Sequence, residues 1–138
     1  MTKKEKLLLA KKEKKVKLQK ATECYKEGIE KYHKAKTRDE YEEAAESYTV
    51  AISLRPANPK YYFARANCFR AMGEYQRGFF DYSAAIQLDN ECATYYGNRG
   101  ICLRKVSSSS AVSTPLSPHA PIASLDKRTK QYKTTRQR

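Results

Sequence analysis

EYEEAAESYTVAISLRP, residues 40–56, and EYQRGFFDYSAAIQLDN, residues 74–90, decide the fold. Superposed at an offset of 34 residues, Glu40, Tyr41, Tyr48, Ala51, Ile52 and Leu54 fall on Glu74, Tyr75, Tyr82, Ala85, Ile86 and Leu88. The register runs on: Tyr61, Tyr62, Arg65, Cys68 and Arg70 fall on Tyr95, Tyr96, Arg99, Cys102 and Arg104. Eleven identities at one offset, mostly of large residues, mark an internal repeat, and a period of this length marks stacked units.

Each unit reads as two helices. Tyr62, Ala66 and Phe69 have helical spacing over 59–72, and Gly73 ends that segment. Phe79, Tyr82, Ala85 and Ile86 share a face over 75–88, and Asp89-Asn90 breaks it. The earlier copy carries Tyr41, Ala44, Ala45, Tyr48, Ala51, Ile52 and Leu54, and Pro56 and Pro59 stop one helix and start the next. Small residues (Ala44, Ala51, Gly78, Ala85) let antiparallel helices approach while Tyr rings fill the space beside them. Upstream, Leu18, Ala21, Tyr25, Gly28, Ile29 and Tyr32 keep the same spacing, and no Pro or Gly interrupts residues 3–27. The interval from Gly28 to Tyr41 exceeds that from Ala66 to Tyr75 by four residues. This predicts a first helix, or a loop around Lys36-Thr37-Arg38-Asp39, about one turn longer than in the second copy. The third copy supplies one helix, 93–106, with Tyr96, Gly100 and Leu103 on a face that expects a following helix. From Ser107 the composition turns to Ser, Thr, Pro and Ala, then to a basic end, which predicts a disordered tail over 107–138.

These residues resemble the tetratricopeptide repeat family over roughly 21–106. Tyr62, Ala66, Phe69, Gly73, Tyr75, Gly78, Tyr82, Ala85 and Leu88 stand where that family places aromatic, small, aromatic, turn, aromatic, small, aromatic, small and aliphatic residues, and Pro56 ends a unit as expected. Gly78 and Asn90 depart from the usual Ala and Pro. The resemblance implies an all-α fold, a short right-handed solenoid of helical hairpins: repeat one at 21–56, repeat two at 57–90 and the first helix of a third at 91–106. A Lys-rich helical leader at 1–20 precedes them. It further implies a concave groove lined by the first helix of each hairpin, which holds a peptide or helix of another protein. The groove face comprises Tyr25, Ile29, Tyr32, Lys60, Phe63, Asn67, Arg70, Ile101 and Arg104, with His33 and Lys105 beside them. This mixture suits a partner segment with acidic and apolar residues. One subset of the family grips acidic chaperone tails through Lys, Asn and Arg. The matching places here hold Tyr25, Ile29, Ala64, Thr94 and Asn98; starting one repeat later they hold Phe63, Asn67 and Asn98, two partial matches with the third inner helix missing, so that clamp is not supported.

Charge supports an adaptor over a nucleic-acid binder. The formal net charge is +13, but residues 1–20 hold +7 of it, residues 107–138 hold +5, and the repeat region only +1. The basic character belongs to the ends. The leader's Leu7, Leu8, Leu9, Val16 and Leu18 form no single stripe, so a solvated charged helix is expected there, not one lying in a membrane. No stretch approaches the apolar length of a membrane span, and a cytoplasmic protein is expected. Cys24, Cys68, Cys92 and Cys102 form no C-x-x-C pair and lie far in sequence from His33 and His119, so neither a metal nor any cofactor is expected. Catalysis lacks parts: Cys24 and His33 are over two helical turns apart, and there is no phosphate-cradling glycine loop. No enzyme activity is expected. Arg65 and Arg99 read as stems packed on their hairpins with heads in water. Thr114-Pro115 and Ser117-Pro118 resemble proline-directed phosphorylation sites.

The reading is therefore a protein-interaction adaptor. The alternatives are a nucleic-acid-associated factor driven by its basic tails, and a truncated form of a longer repeat protein without activity of its own.

Overall fold

The computed structural model describes residues 1–108, which form five α-helices and no strand. These are α1 (Lys3–Lys34), α2 (Arg38–Leu54), α3 (Pro59–Ala71), α4 (Tyr75–Leu88) and α5 (Ala93–Ser108). Each packs on its successor, and α1 also touches α3. The architecture is a short helical-hairpin solenoid: hairpin α1–α2, hairpin α3–α4, then α5. The expected phosphorylation dipeptides and the basic end lie outside the described residues. Ser107 and Ser108, expected to begin the tail, continue α5.

Local chemistry sets the helix ends. Thr2 and Glu5 form a capping box at α1, and Thr37 and Glu40 form another at α2. Asn58 caps α3, with Pro59 at its first position. The α3–α4 turn is a Schellman closure: the Gly73 N–H donates to the Arg70 carbonyl at 3.0 Å and the Glu74 N–H to the Phe69 carbonyl at 2.8 Å. Gly73 has φ +80°, a conformation L side chains rarely adopt.

The extra residues of the first hairpin are not where the spacing placed them. Both connections, 35–37 and 72–74, are three residues long, and the added turn lies mostly at the start of α2, where Arg38, Asp39 and Glu40 precede Tyr41. The Thr37–Glu40 capping box starts that helix early. The extra turn reaches the next hairpin: Arg38 donates from Nη1 to the Met72 carbonyl at 2.8 Å and ion-pairs through Nη2 with Glu74.

One seam occurs twice. Tyr48 of α2 lies over Gly28 of α1, and the Tyr25 ring meets Tyr48 at 5.8 Å and Tyr61 at 5.0 Å. In the second hairpin Tyr82 packs with Ala66, and Phe63 meets Tyr82 at 5.8 Å and Tyr95 at 5.0 Å. Tyr48 is 2% exposed and Tyr82 fully buried. Burying a ring of this size is worth roughly 2–3 kcal/mol before the entropy of ordering is subtracted. The third copy is open among the described residues: Tyr96 is 42% and Leu103 40% exposed, and none of their atoms outside the helix's own backbone lies within 4 Å of a Cβ built at Gly97 or Gly100.

Polar groups tie the hairpins from within. The Arg65 guanidinium of α3 grips the Asp81 carboxylate of α4 with two hydrogen bonds, Nε to Oδ2 at 2.7 Å and Nη2 to Oδ1 at 2.9 Å, and Nη1 reaches Thr49 Oγ1 of α2 at 3.1 Å. The Arg65 head is thus held inside, contrary to the expectation that it reaches water. A carboxylate on the facing helix outcompetes solvent when both groups are screened from it. Arg99 is likewise engaged, through Nη1 to Ser83 Oγ at 3.3 Å, one repeat after Arg65 meets Thr49.

Burial pushes the Tyr82 hydroxyl up to about 12, the Cys68 thiol up to about 12 and the Cys102 thiol up to about 11, and it raises Tyr48 further. Folding therefore holds these groups protonated. Above the pH at which free thiols and phenols ionise, the unfolded chain releases protons that the folded chain keeps, so stability falls as pH rises. Urea midpoints are expected to be flat to about pH 8 and to drop progressively between about pH 9 and 12. A midpoint unchanged at pH 11 would contradict this account of the seams.

Candidate partner-binding groove

The first helices of the three units, α1, α3 and α5, enclose a pocket of about 220 Å³. Tyr32 lines it from α1, Asn67, Arg70 and Ala71 from α3, and Ile101 and Lys105 from α5. Tyr75, the first residue of α4, completes it. The lining has two cations and no acid.

Why these side chains meet follows from the repeat. Asn67 and Ile101 occupy the same place in their units, as do Ala71 and Lys105, so side-by-side first helices present them in rows. Tyr32 reaches the pocket from the last turns of α1, its ring set edge-on to Tyr41 at 5.6 Å. Burial raises its hydroxyl pKa, and the nearby Arg70 charge partly offsets this.

Of the groove residues read from sequence, the structure brings Tyr32, Asn67, Arg70 and Ile101 to one pocket, with Lys105. Tyr25 and Phe63 are half-buried wedges in the two seams, each between two Tyr rings. Ile29 packs against the first seam. Lys60 and Arg104 are exposed and outside the pocket lining, as is His33, whose ring stands edge-on to Tyr32 at 5.8 Å.

Sequence spacing missed Tyr75, Ala71 and Tyr82. The signal for Tyr75 was its place just after Gly73, which folds α4 back over the end of α3. Tyr82 was read only as core. Yet its hydroxyl crosses the hairpin, accepting from Arg70 Nε at 3.1 Å and donating to Asn67 Oδ1. No facing rule on a single helix predicts such a contact, because it depends on the relative register of two helices.

Among the described residues no cluster of three or more His, Cys, Asp or Glu could hold a metal ion. No described helix is long and apolar enough to cross a membrane.

No protein-family model matches the chain. Over 65 residues, 47% of this chain, it is 37% identical to outer dynein arm-docking complex subunit 4 of Xenopus laevis. Over 67 residues, 49% of this chain, it is 33% identical to the heat-shock protein cognate co-chaperone sgt12 of Aspergillus fumigatus. The matched stretches span only 12% and 20% of those two proteins. By name one is a subunit of a docking complex and the other a co-chaperone.

Proposed function

We propose that this chain is a tetratricopeptide-type protein-interaction module whose concave face receives a partner segment with acidic and apolar residues. One observation carries the reading: three consecutive first helices line a common pocket that joins aromatic and aliphatic walls to two cations without an acid. Such a site offers a segment both area and charge complementarity. The two relatives, a docking subunit and a co-chaperone by name, agree in kind.

The test is selection from a phage-displayed peptide library on the full 138-residue chain. Enriched peptides are expected to combine acidic and apolar residues. Ile101→Glu places a negative charge in the pocket wall without touching the Tyr48 or Tyr82 seams, and should weaken those peptides about tenfold or more. Deleting residues 1–20 should leave their affinity unchanged. Binding that is lost with residues 1–20, falls steeply with salt and ignores Ile101→Glu would instead establish the tail-driven reading.

A further inference from the structure

Arg65 and Arg70 are five residues apart on α3 and meet opposite surroundings. The Arg65 charge is closed by the Asp81 carboxylate. Arg70 is half-buried and lies within ion-pair distance of no carboxylate among the described residues. Its neighbours there are neutral: the Tyr82 hydroxyl, Asn67, Tyr32 and the Cys102 thiol. Nε is spent on Tyr82, and neither Nη nitrogen hydrogen-bonds an acceptor among the described residues. A charge screened from water gains from a partner of opposite sign, and Arg70 is partly screened. It is held in place by a buried hydroxyl on one edge, with its fork unspent on the other, in the wall of a pocket that also contains Lys105.

We propose that the pocket is a carboxylate-binding site. Arg70 offers its two Nη nitrogens to both oxygens of an Asp or Glu side chain or a chain terminus, and Lys105 adds the second positive charge. Tyr82 is a positioning residue that sets the guanidinium plane through Nε. The site deepens the groove reading and rests on it for its biological ligand. None of Tyr25, Ile29, Ala64, Thr94 and Asn98, the places that match the family's chaperone-tail clamp, lines it, and of Phe63, Asn67 and Asn98, matched one repeat later, only Asn67 does; Arg70 and Lys105 stand at neither set of places.

Arg70 and Lys105 also stand in the last turns of α3 and α5, where cations complement the carbonyl ends of helices. That role needs charge alone, which Lys supplies as well as Arg. Planar two-point recognition of a carboxylate needs Arg.

The experiment uses the full chain with nitrogen-15 in its arginine side chains and backbone. Sodium acetate is titrated at constant ionic strength, with acetamide as the neutral control. A saturable shift of the Arg70 Nε–H resonance and of the Ala71 and Ile101 amides is expected with acetate and not with acetamide. Arg70→Lys should weaken acetate about tenfold or more while leaving thermal stability close to the parent. Tyr82→Phe should weaken it severalfold and speed exchange of the Arg70 Nε proton with water, which a purely structural Tyr82 would not do. Tyr82 is buried; should its variant fail to fold, Arg70→Lys and acetamide still decide. N-acetyl-alanine and N-acetyl-glutamate methylamide then compare a terminal with a side-chain carboxylate, and saturable binding of either supports the site.

Shifts that never saturate, an equal response to acetamide, or full affinity in Arg70→Lys would overturn it. The two readings fail separately. Acetate binding at Arg70 beside selected peptides that ignore Ile101→Glu removes the groove reading and keeps the site. Groove-dependent peptides beside an inert Arg70 remove the site and keep the groove.

Discussion

Asp81→Ala destabilises the protein by about 3–5 kcal/mol, the cost of leaving a buried charge without its partner. Asp81 is 3% exposed, and both its oxygens are taken by Arg65, at 2.7 and 2.9 Å. Removing it takes two charge-assisted hydrogen bonds from a guanidinium held between α3 and α4. Since small domains are stable by roughly 5–15 kcal/mol in all, a loss of this size removes a large share of the reserve. Urea unfolding followed by circular dichroism measures it. Arg65→Met with Asp81→Leu, which removes both charges and keeps similar bulk, should recover most of the loss. A single Asp81→Ala change costing under 1 kcal/mol would mean that the pair is solvated and contributes little to joining the helices.

Gly28→Val lowers stability by about 3 kcal/mol in the same assay. A Cβ at Gly28 would stand 2.6 Å from Cε1 and 2.8 Å from Cδ1 of the Tyr48 ring. That ring cannot step aside, because it is packed among Ala44, Cys68 and Phe69 and flanked by Tyr25. Glycine inside a helix ordinarily costs about 1 kcal/mol against alanine, and here the steric penalty exceeds that gain. Gly100→Ala is the control of opposite sign. It occupies the corresponding place in the third unit, a Cβ there meets nothing within 4 Å among the described residues, and alanine should stabilise by about 0.5–1 kcal/mol. Equal effects at the two glycines would show that helix propensity, not the Tyr48 seam, governs the position.

The hairpins were legible because a repeated sequence reports its own packing. Tyr48 and Tyr82 recur opposite Gly28 and Ala66, and both rings are buried where the recurrence implied. The start of α2 was written in the sequence as well, since Thr37 and Glu40 have capping-box spacing. Counting from Gly28 nonetheless assigned the extra turn to the preceding helix or loop, because an interval does not say which side of a connection absorbs it. Arg65 illustrates a deeper limit. Its partner Asp81 stands where the first copy has Ser47, so comparing repeats pointed to nothing there. The candidate groove was readable as a face and not as a pocket. Spacing could place Tyr32, Asn67, Arg70 and Ile101 on first helices, but Tyr25 and Phe63 share that face and are consumed by the seams. Separating the two groups requires the distance between helices.

The first helix has a mechanical consequence. α1 runs unbroken from Lys3 to Lys34, about 48 Å at 1.5 Å per residue, yet only its portion from Ala21 onward is gripped by the other helices. The free part, with nine lysines and every side chain exposed, is a boom cantilevered from the first hairpin. An anionic surface that catches its tip acquires leverage on Ala21, Tyr25 and Gly28, and through them on Tyr48. A pull at Lys3 would thus be felt as torque at the first seam, about 33–38 Å away along the helix.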